Sequence, residues 1–311
     1  MSAPESTAAM PPMMYGTAWK KDRTADLVYE AIKAGFRGID TAAMKKHYDE
    51  ALTGEGIRRA IREGIVSRKD LFIQTKFTPL DLSSPYDPSS PIPAQIHASL
   101  ASSLSNLTTT PGDDDAGRAY LDAVVLHSPF PTVAQTREAW TALQAYLPSS
   151  PDPARRGRVR RLGVSNVTLP VLRALQQEEG MVAVVQNRFR GAEREWDREI
   201  RRWVGERNRG RGEEEGVKYQ GFWTLTGNAA TWQTKGFVRE LAEGSGVSLA
   251  AAWYVLIMEA GVVVLNGTGN REHMREDLDA QGKVAEWRRT ENGKEMWERC
   301  WSEFRMLVDG D

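Results

Sequence analysis

A parallel α/β barrel is the fold this chain predicts, and three observations predict it. Short apolar runs alternate with amphipathic stretches along all 311 residues, the pattern of βα units around a parallel sheet. Eight such runs can be counted, the number a (β/α)8 TIM barrel needs. Several of them end in a residue able to do chemistry. Asp40 closes Phe36-Arg37-Gly38-Ile39, Lys76 closes Leu71-Phe72-Ile73-Gln74-Thr75, His127 closes the run 121–126, and Tyr48 lies a short loop beyond Asp40. Carboxyl ends of barrel strands converge on one mouth, so these four would become neighbours.

The candidate strands are 14–19, 37–42, 71–77, 121–128, 159–165, 182–189, 217–223 and 261–267. Between them, 25–34 brings Ala25, Val28, Ala31 and Ile32 onto one helical face, and 54–63 does the same for Ile57, Ala60 and Ile61. In 132–146, Val133, Thr136, Trp140 and Leu143 recur at helical spacing. Helices at 169–177 and 193–206 follow the fifth and sixth strands. Segments 79–93, 108–117 and 148–158, rich in Ser, Pro and charge, read as surface insertions, and 78–118 and 196–216 read as long loops. Length alone permits two domains, but a barrel of roughly 250 residues commonly forms one. The expectation is a disordered segment over 1–12 followed by a single barrel over 13–311.

Composition narrows the function. A net charge of −1 gives no electrostatic case for nucleic acid or an anionic membrane. The single cysteine, Cys300, excludes an intrachain disulfide and a cysteine-built zinc cluster. No run reaches the roughly 20 apolar residues of a membrane span, and residues 1–14 lack the basic start and apolar core of a secretory signal. A cytoplasmic, soluble protein is expected, monomeric or weakly self-associating, with a small molecule as its partner.

The four strand-end residues suit the reduction of a carbonyl. Negative charge develops on oxygen as a hydride reaches the carbon, so a proton donor must stand within hydrogen-bond reach. Tyr48 is the candidate donor, although a free phenol near pKa 10 gives up its proton reluctantly. An adjacent ammonium, Lys76, stabilises phenolate, and Asp40 would keep that buried ammonium charged. His127 can donate to the same oxygen. Each residue also has a plainer reading: an aspartate ending a strand often caps the next helix, and a histidine after an apolar run is often structural. A lysine in an apolar strand is harder to dismiss, because burying its charge without a partner is costly.

Gly16-Thr17, Gly38-Ile39-Asp40-Thr41-Ala42, Tyr48 before Gly54-Glu55-Gly56-Ile57, Thr75-Lys76, Leu126-His127-Ser128-Pro129, Gly163-Val164-Ser165-Asn166 and Gln186-Asn187 occur in that order. With them the chain resembles the aldo-keto reductases from about residue 15 to about 278. The resemblance implies NAD(P)H-dependent reduction of an aldehyde or ketone, with Asp40, Tyr48, Lys76 and His127 as the catalytic set. One departure stands out: Met44-Lys45-Lys46-His47 makes the Asp40-to-Tyr48 spacing longer than the family's, and His47 is the alternative donor.

No Gly-x-Gly-x-x-Gly opens a helix after the first strand, so a Rossmann cofactor site is not supported. The resemblance implies instead a nicotinamide cofactor, NADPH with NADH possible, extended across the mouth. Gly16 and Thr17 would border it. Ser165, Asn166 and Gln186 would hold the carboxamide, and Tyr219 would stack on the ring. Gly267-Thr268-Gly269-Asn270 leads into a helix beginning near Arg271, whose free amides suit a phosphate. The family's Lys and Arg for the 2′-phosphate correspond to Gly267 and His273, and its adenine-contacting Asn to Asp277. Thr268 is retained, and Arg271 or Arg275 would supply charge from a shifted position, leaving a weakened preference for NADPH. Trp19, Phe77, Phe130 and Trp223 would line an aromatic substrate pocket, joined by Phe222. The competing reading is non-catalytic: a cofactor-binding barrel acting as a redox sensor or regulatory subunit.

Overall fold

A parallel strand leaves unpaired amides and carbonyls along any edge it exposes, and closing the sheet on itself removes both edges. This chain does that. The computed structural model describes residues 8–109, 119–176, 182–212 and 216–310. In it β1 (Met13–Gly16), β2 (Gly38–Asp40), β3 (Phe72–Phe77), β4 (Leu121–Leu126), β5 (Val159–Ser165), β6 (Val184–Arg188), β7 (Lys218–Phe222) and β8 (Val262–Asn266) pair in chain order into a closed parallel barrel. Each overlaps one of the eight expected runs.

Helices pack outside. α1 (Thr24–Ala34) and α2 (Glu50–Arg62) follow β1 and β2, and α3 (Ile92–Asn106) follows β3. α4 (Val133–Gln144), α5 (Leu169–Gln176), the single turn α6 (Gly191–Arg194) and α7 (Arg198–Asn208) come next. The turn α8 (Ala229–Trp232) precedes α9 (Gly236–Ser245) and α10 (Leu249–Glu259), and α11 (Arg271–Trp287) and α12 (Glu291–Asp309) complete the shell. Side-chain caps start several of them, Asp49 for α2, Thr132 for α4, Ser248 for α10 and Asn270 for α11. No single helix among the described residues is long and apolar enough to cross a membrane.

Three expectations change. The 78–118 stretch is not one long loop, because α3 occupies its middle, and α7 occupies much of 196–216. α3 is built from Ser and Ala over a few apolar residues, so its hydrophobic stripe is weak. The helix expected over 193–206 is broken where Glu195, Trp196 and Asp197 adopt left-handed backbone. Residues 8–12 are also part of the barrel. Pro12 accepts from the Val264 amide at 2.9 Å, and Ala8 and Met10 pack against Met14, Phe72, Ala123, Val125, Val184 and Val263 inside the sheet. The insertion expected over 108–117 falls mostly outside the described residues.

Strand alternation sets what faces the mouth. On β3, Phe72, Gln74 and Lys76 point into the barrel, while Ile73 and Phe77 join the larger core between sheet and helices. α2, which carries the chain on from Tyr48, sits tightly on α3. A methyl at Gly54 would come 1.9 Å from the Asn106 carbonyl, which Arg58 also engages at 3.0 Å. Gly54→Ala should therefore destabilise the protein by about 2 kcal/mol or more, in the range for overpacking. Urea unfolding checks this, and an unchanged midpoint would mean that the α2–α3 contact yields.

Candidate active site

The loop after β2 is long enough to wander, and its hydrogen bonds are what bring Tyr48 back. The Thr41 and Ala43 amides continue the β2–β3 pairing to the Gln74 and Lys76 carbonyls, at 3.0 and 3.1 Å. A turn follows in which the His47 and Tyr48 amides both donate to the Met44 carbonyl. The Trp19 amide then donates to the His47 carbonyl at 2.7 Å, and Asp49 caps α2 through the Leu52 amide at 2.9 Å. Tyr48 is thus held between a tied loop and a capped helix. His47 stands beside it with its ring 3.8 Å from that of Trp19, centroid to centroid.

Lys76 lies beneath. Its side chain is fully buried, and Nζ donates to Asp40 Oδ2 at 2.5 Å and to the Thr41 carbonyl at 2.8 Å. The same ammonium lies 4.9 Å from the centre of the Tyr48 ring. Burial pulls the Lys76 pKa down, but Asp40 and the Tyr48 phenol together outweigh it and hold the group above its ordinary value. Burial pushes the Tyr48 phenol up, and the Lys76 charge only partly offsets this. The expected net lowering by lysine is therefore reversed: desolvation of the phenol is the larger effect. His127, whose ring meets that of Tyr48 edge-on at 6.1 Å, is pushed down to about 3 by burial, with smaller contributions from Lys76 and His47. It is a neutral imidazole at ordinary pH. Thr78 Oγ1 lies 2.7 Å from its Nδ1. With the hydroxyl donating, the ring proton resides on Nε2.

Below Asp40 the barrel is polar. Gln74 and Gln186 each donate to Asp40 Oδ1, at 2.7 and 3.2 Å, and to Gln220 Oε1, at 2.8 and 2.7 Å. Gln220 returns a hydrogen bond to Gln74 Oε1 at 2.9 Å and reaches the Met10 sulfur at 3.3 Å. A buried carboxylate is costly unless its oxygens are satisfied. This layer of amides satisfies one oxygen and leaves the other to Lys76. Glu50, buried beside the Tyr48 loop, accepts from Thr75 at 2.5 Å and Ser103 at 3.0 Å, and burial raises its pKa.

Other expected positions are redistributed. Gln186 serves Asp40 rather than a ligand in this conformation. Tyr219 points outward and donates to Asp197 Oδ2 at 3.1 Å, so it cannot stack on a ring at the mouth. Alternation gives that face to Phe222, next to Trp223. Phe77 and Phe130 are buried in the core outside the sheet and do not line the pocket. Trp19 and Trp223 remain at the rim, 64% and 47% exposed. Gly16 ends β1, and Thr17 donates its hydroxyl to the Asp40 carbonyl at 3.2 Å, a tie between strands. Ser165 is buried. Asn166 reaches the His127 carbonyl at 2.9 Å and the Ser165 hydroxyl at 3.2 Å, so these two brace the histidine strand. Trp19, Asn166 and Trp223 hold left-handed backbone at φ 64°, 53° and 58°. Such conformations cost roughly 1–3 kcal/mol each and gather where function sets the geometry. Phe222 was within reach of the sequence reading; Gln74, Gln220 and Thr78 were not singled out by it, although strand parity alone puts Gln74 on the Lys76 face.

A groove of about 560 Å³ runs beside the mouth, from Trp223, Thr224 and Leu265 past Trp232 and Tyr254 to Thr268, His273, Glu276 and Asp277. Thr268 accepts from the Asn270 amide at 3.2 Å, and Asn270 caps α11 by accepting from the Glu272 amide at 2.8 Å and the His273 amide at 3.5 Å. Arg271 turns away to Glu30, at 3.1 Å, so it does not supply charge to this groove. Asp277 accepts from Asn266 at 2.7 Å, and burial raises its carboxyl to about 6.

The chain is a closed parallel barrel with a buried lysine–carboxylate pair beside a tyrosine at its carboxyl mouth, and comparison with known proteins gives its family. Residues 12–285 match the Aldo/keto reductase family, and the protein belongs to it. The oxidoreductase YtbE of Bacillus subtilis (strain 168) is 37% identical over 139 residues, covering 45% of this chain and 39% of YtbE. The NAD(P)H-dependent D-xylose reductase of Pachysolen tannophilus is 52% identical over 58 residues, 19% of this chain and 18% of that one. The chain thus spans well under half the length of these relatives. The 7-acetyl-epi-neemfruitin B aldo-keto reductase of Melia azedarach is 26% identical over 308 residues, 90% of this chain and 82% of its own. The Bombyx mori aldo-keto reductase AKR2E4, solved in complex with NADP, shares the fold at TM-score 0.66 and 20% identity, over 89% of this chain and 88% of its own. An aldo-keto reductase from a Medee basin deep-sea metagenome does so at TM-score 0.69 and 18% identity, over 97% and 93%.

The pair at the centre makes a stability prediction. Lys76→Met strands a buried carboxylate and Asp40→Asn a buried ammonium, each expected to cost about 3–5 kcal/mol. The Asp40→Asn/Lys76→Met double variant should lose less than the sum of the two by at least about 1 kcal/mol. Chemical denaturation of the four proteins measures this, and strict additivity would mean that the pair is not coupled.

Proposed function

We propose that this protein is an NAD(P)H-dependent carbonyl reductase in which Tyr48 is the general acid. The observation that carries the reading is the Lys76 ammonium, fixed by Asp40 and lying 4.9 Å from the Tyr48 ring. When bound, a reduced nicotinamide supplies the hydride. The groove supports a place for it: it is largely apolar and runs from Trp223 to the start of α11. Phe222 and Trp223 would offer aromatic surface to the nicotinamide, and Thr268, Asn270, His273 and Asp277 would hold the adenosine part.

At the mouth, Tyr48 keeps its proton at working pH because burial raises its pKa. A carbonyl oxygen gaining charge would draw that proton, and Lys76 would stabilise the phenolate left behind. Asp40 keeps Lys76 charged while the site is dry. Neutral His127 would donate from Nε2 to the same oxygen and orient it, with Thr78 holding Nδ1 of the imidazole and Asn166 holding the His127 carbonyl. Trp19, His47 and Trp223 form an aromatic rim, which suits an uncharged aromatic or aliphatic aldehyde or ketone.

Loss of NADPH absorbance at 340 nm with a panel of aromatic aldehydes tests the activity. Tyr48→Phe should lose at least about a hundredfold in kcat, the low end for acid catalysis, while the cofactor Kd changes little. Cofactor binding without turnover on any carbonyl would favour a sensor instead. The pH profile is a separate check. His127 titrates near 3, and Tyr48 and Lys76 both lie above their ordinary values. Reduction should therefore hold a constant kcat between about pH 6 and 9, as these three groups keep their protonation there. A break near pH 7 would assign the proton to another group.

A further inference from the structure

Among the described residues, the groove beside α11 is lined by carboxylates and by no lysine or arginine. Its titratable lining residues are Glu276, Asp277, His273 and Tyr254, two carboxylates, an imidazole and a phenol. The arginines of the same helix are elsewhere. At 3.6 residues per turn, 273, 276 and 277 share one face, and 271 and 275 fall on the opposite one. Arg271 is held there by Glu30. Lys20, which reaches the Gly267 carbonyl, is not among the groove's lining residues. The first amides of α11 are also occupied, since Asn270 Oδ1 accepts from those of Glu272 and His273. Among the described residues, neither a guanidinium fork nor a pair of open helix amides therefore lines the groove at the end where an adenosine ribose would lie.

We propose that this groove selects the nicotinamide cofactor lacking a 2′-phosphate, so that the protein binds NADH in preference to NADPH, with Asp277 and Glu276 rejecting the phosphate. The proposal rests on the reading that the groove takes the adenosine end of the cofactor. A phosphate monoester brings between one and two negative charges at neutral pH, and charge-assisted bonds to Lys or Arg are what normally favour it. Here the expected preference for NADPH reverses. A ribose 2′-hydroxyl, in contrast, can donate to a carboxylate at no electrostatic cost.

Quenching of tryptophan emission in the full-length protein gives Kd for each reduced cofactor without turnover. NADH should bind at least about tenfold more tightly, a difference of about 1.4 kcal/mol. A gain-of-charge variant, Gly267→Lys/His273→Arg, should shift the Kd ratio at least tenfold toward NADPH. Both positions accept the change: a Cβ at Gly267 meets nothing within 4 Å, and His273 is exposed. Asp277→Asn should shift the ratio in the same direction. Equal or tighter binding of NADPH by the unmodified protein overturns the proposal, as does a ratio that the added cations leave unmoved. Failure of both cofactors to quench emission, with the fold intact by circular dichroism, overturns the underlying reading of the groove.

Discussion

A lysine with no solvent around it keeps its charge only if something nearby carries the opposite one, and this barrel is organised around meeting that condition. Asp40 supplies the charge to Lys76 at 2.5 Å. The carboxylate in turn needs partners, and the amides of Gln74 and Gln186 supply them from below. Above the ammonium, a loop pinned by Met44, Trp19 and Asp49 lowers a phenol onto it. Moving one element by a few tenths of an ångström would weaken two charge contacts at once. The tight seating of α2 on α3 therefore bears on the mouth as well as on stability.

The division of the pKa effects follows from the same burial. Desolvation disfavours whichever form is charged, so it raises the phenol, lowers the imidazole and opposes the ammonium. The ammonium, with Asp40 and the Tyr48 phenol beside it, resists this pull, while for the phenol the Lys76 charge offsets burial only in part. The result is a site with a protonated phenol, a neutral imidazole and a charged lysine. The carboxylate contributes no proton; it holds the lysine in its charged form.

Much of this was legible in the chain because it repeats a simple rule. Eight apolar runs became eight strands, and Asp40, Lys76 and His127 were marked by ending such runs. Tyr48 was harder, since its return to the mouth depends on loop hydrogen bonds that no periodicity announces. The errors have identifiable causes. The resemblance puts Tyr219 on the ring and the expected pocket includes Phe77, but side chains alternate along a strand, and Gln220 and Lys76 occupy the inner face. Phe130, expected in the pocket, instead packs its ring beside Phe77 with centroids 6.4 Å apart. α3 was passed over because serine and alanine blur its stripe, and the break at 195–197 has no glycine or proline to signal it. Gln186 has an amide that suits a ligand, and nothing in the sequence pattern signals that Asp40 takes it.

The amide layer has an implication for how such a barrel changes over generations. Barrel interiors are ordinarily filled by branched hydrocarbons that can be exchanged one at a time, with volume as the main constraint. Gln74, Gln186 and Gln220 are each donor or acceptor to another member of the set, so replacing one by leucine removes a hydrogen bond from at least one of the others. Drift at these three sites is consequently locked together, and an ancestor with a greasy interior could reach this arrangement only through a poorly satisfied intermediate or by changes arriving in concert.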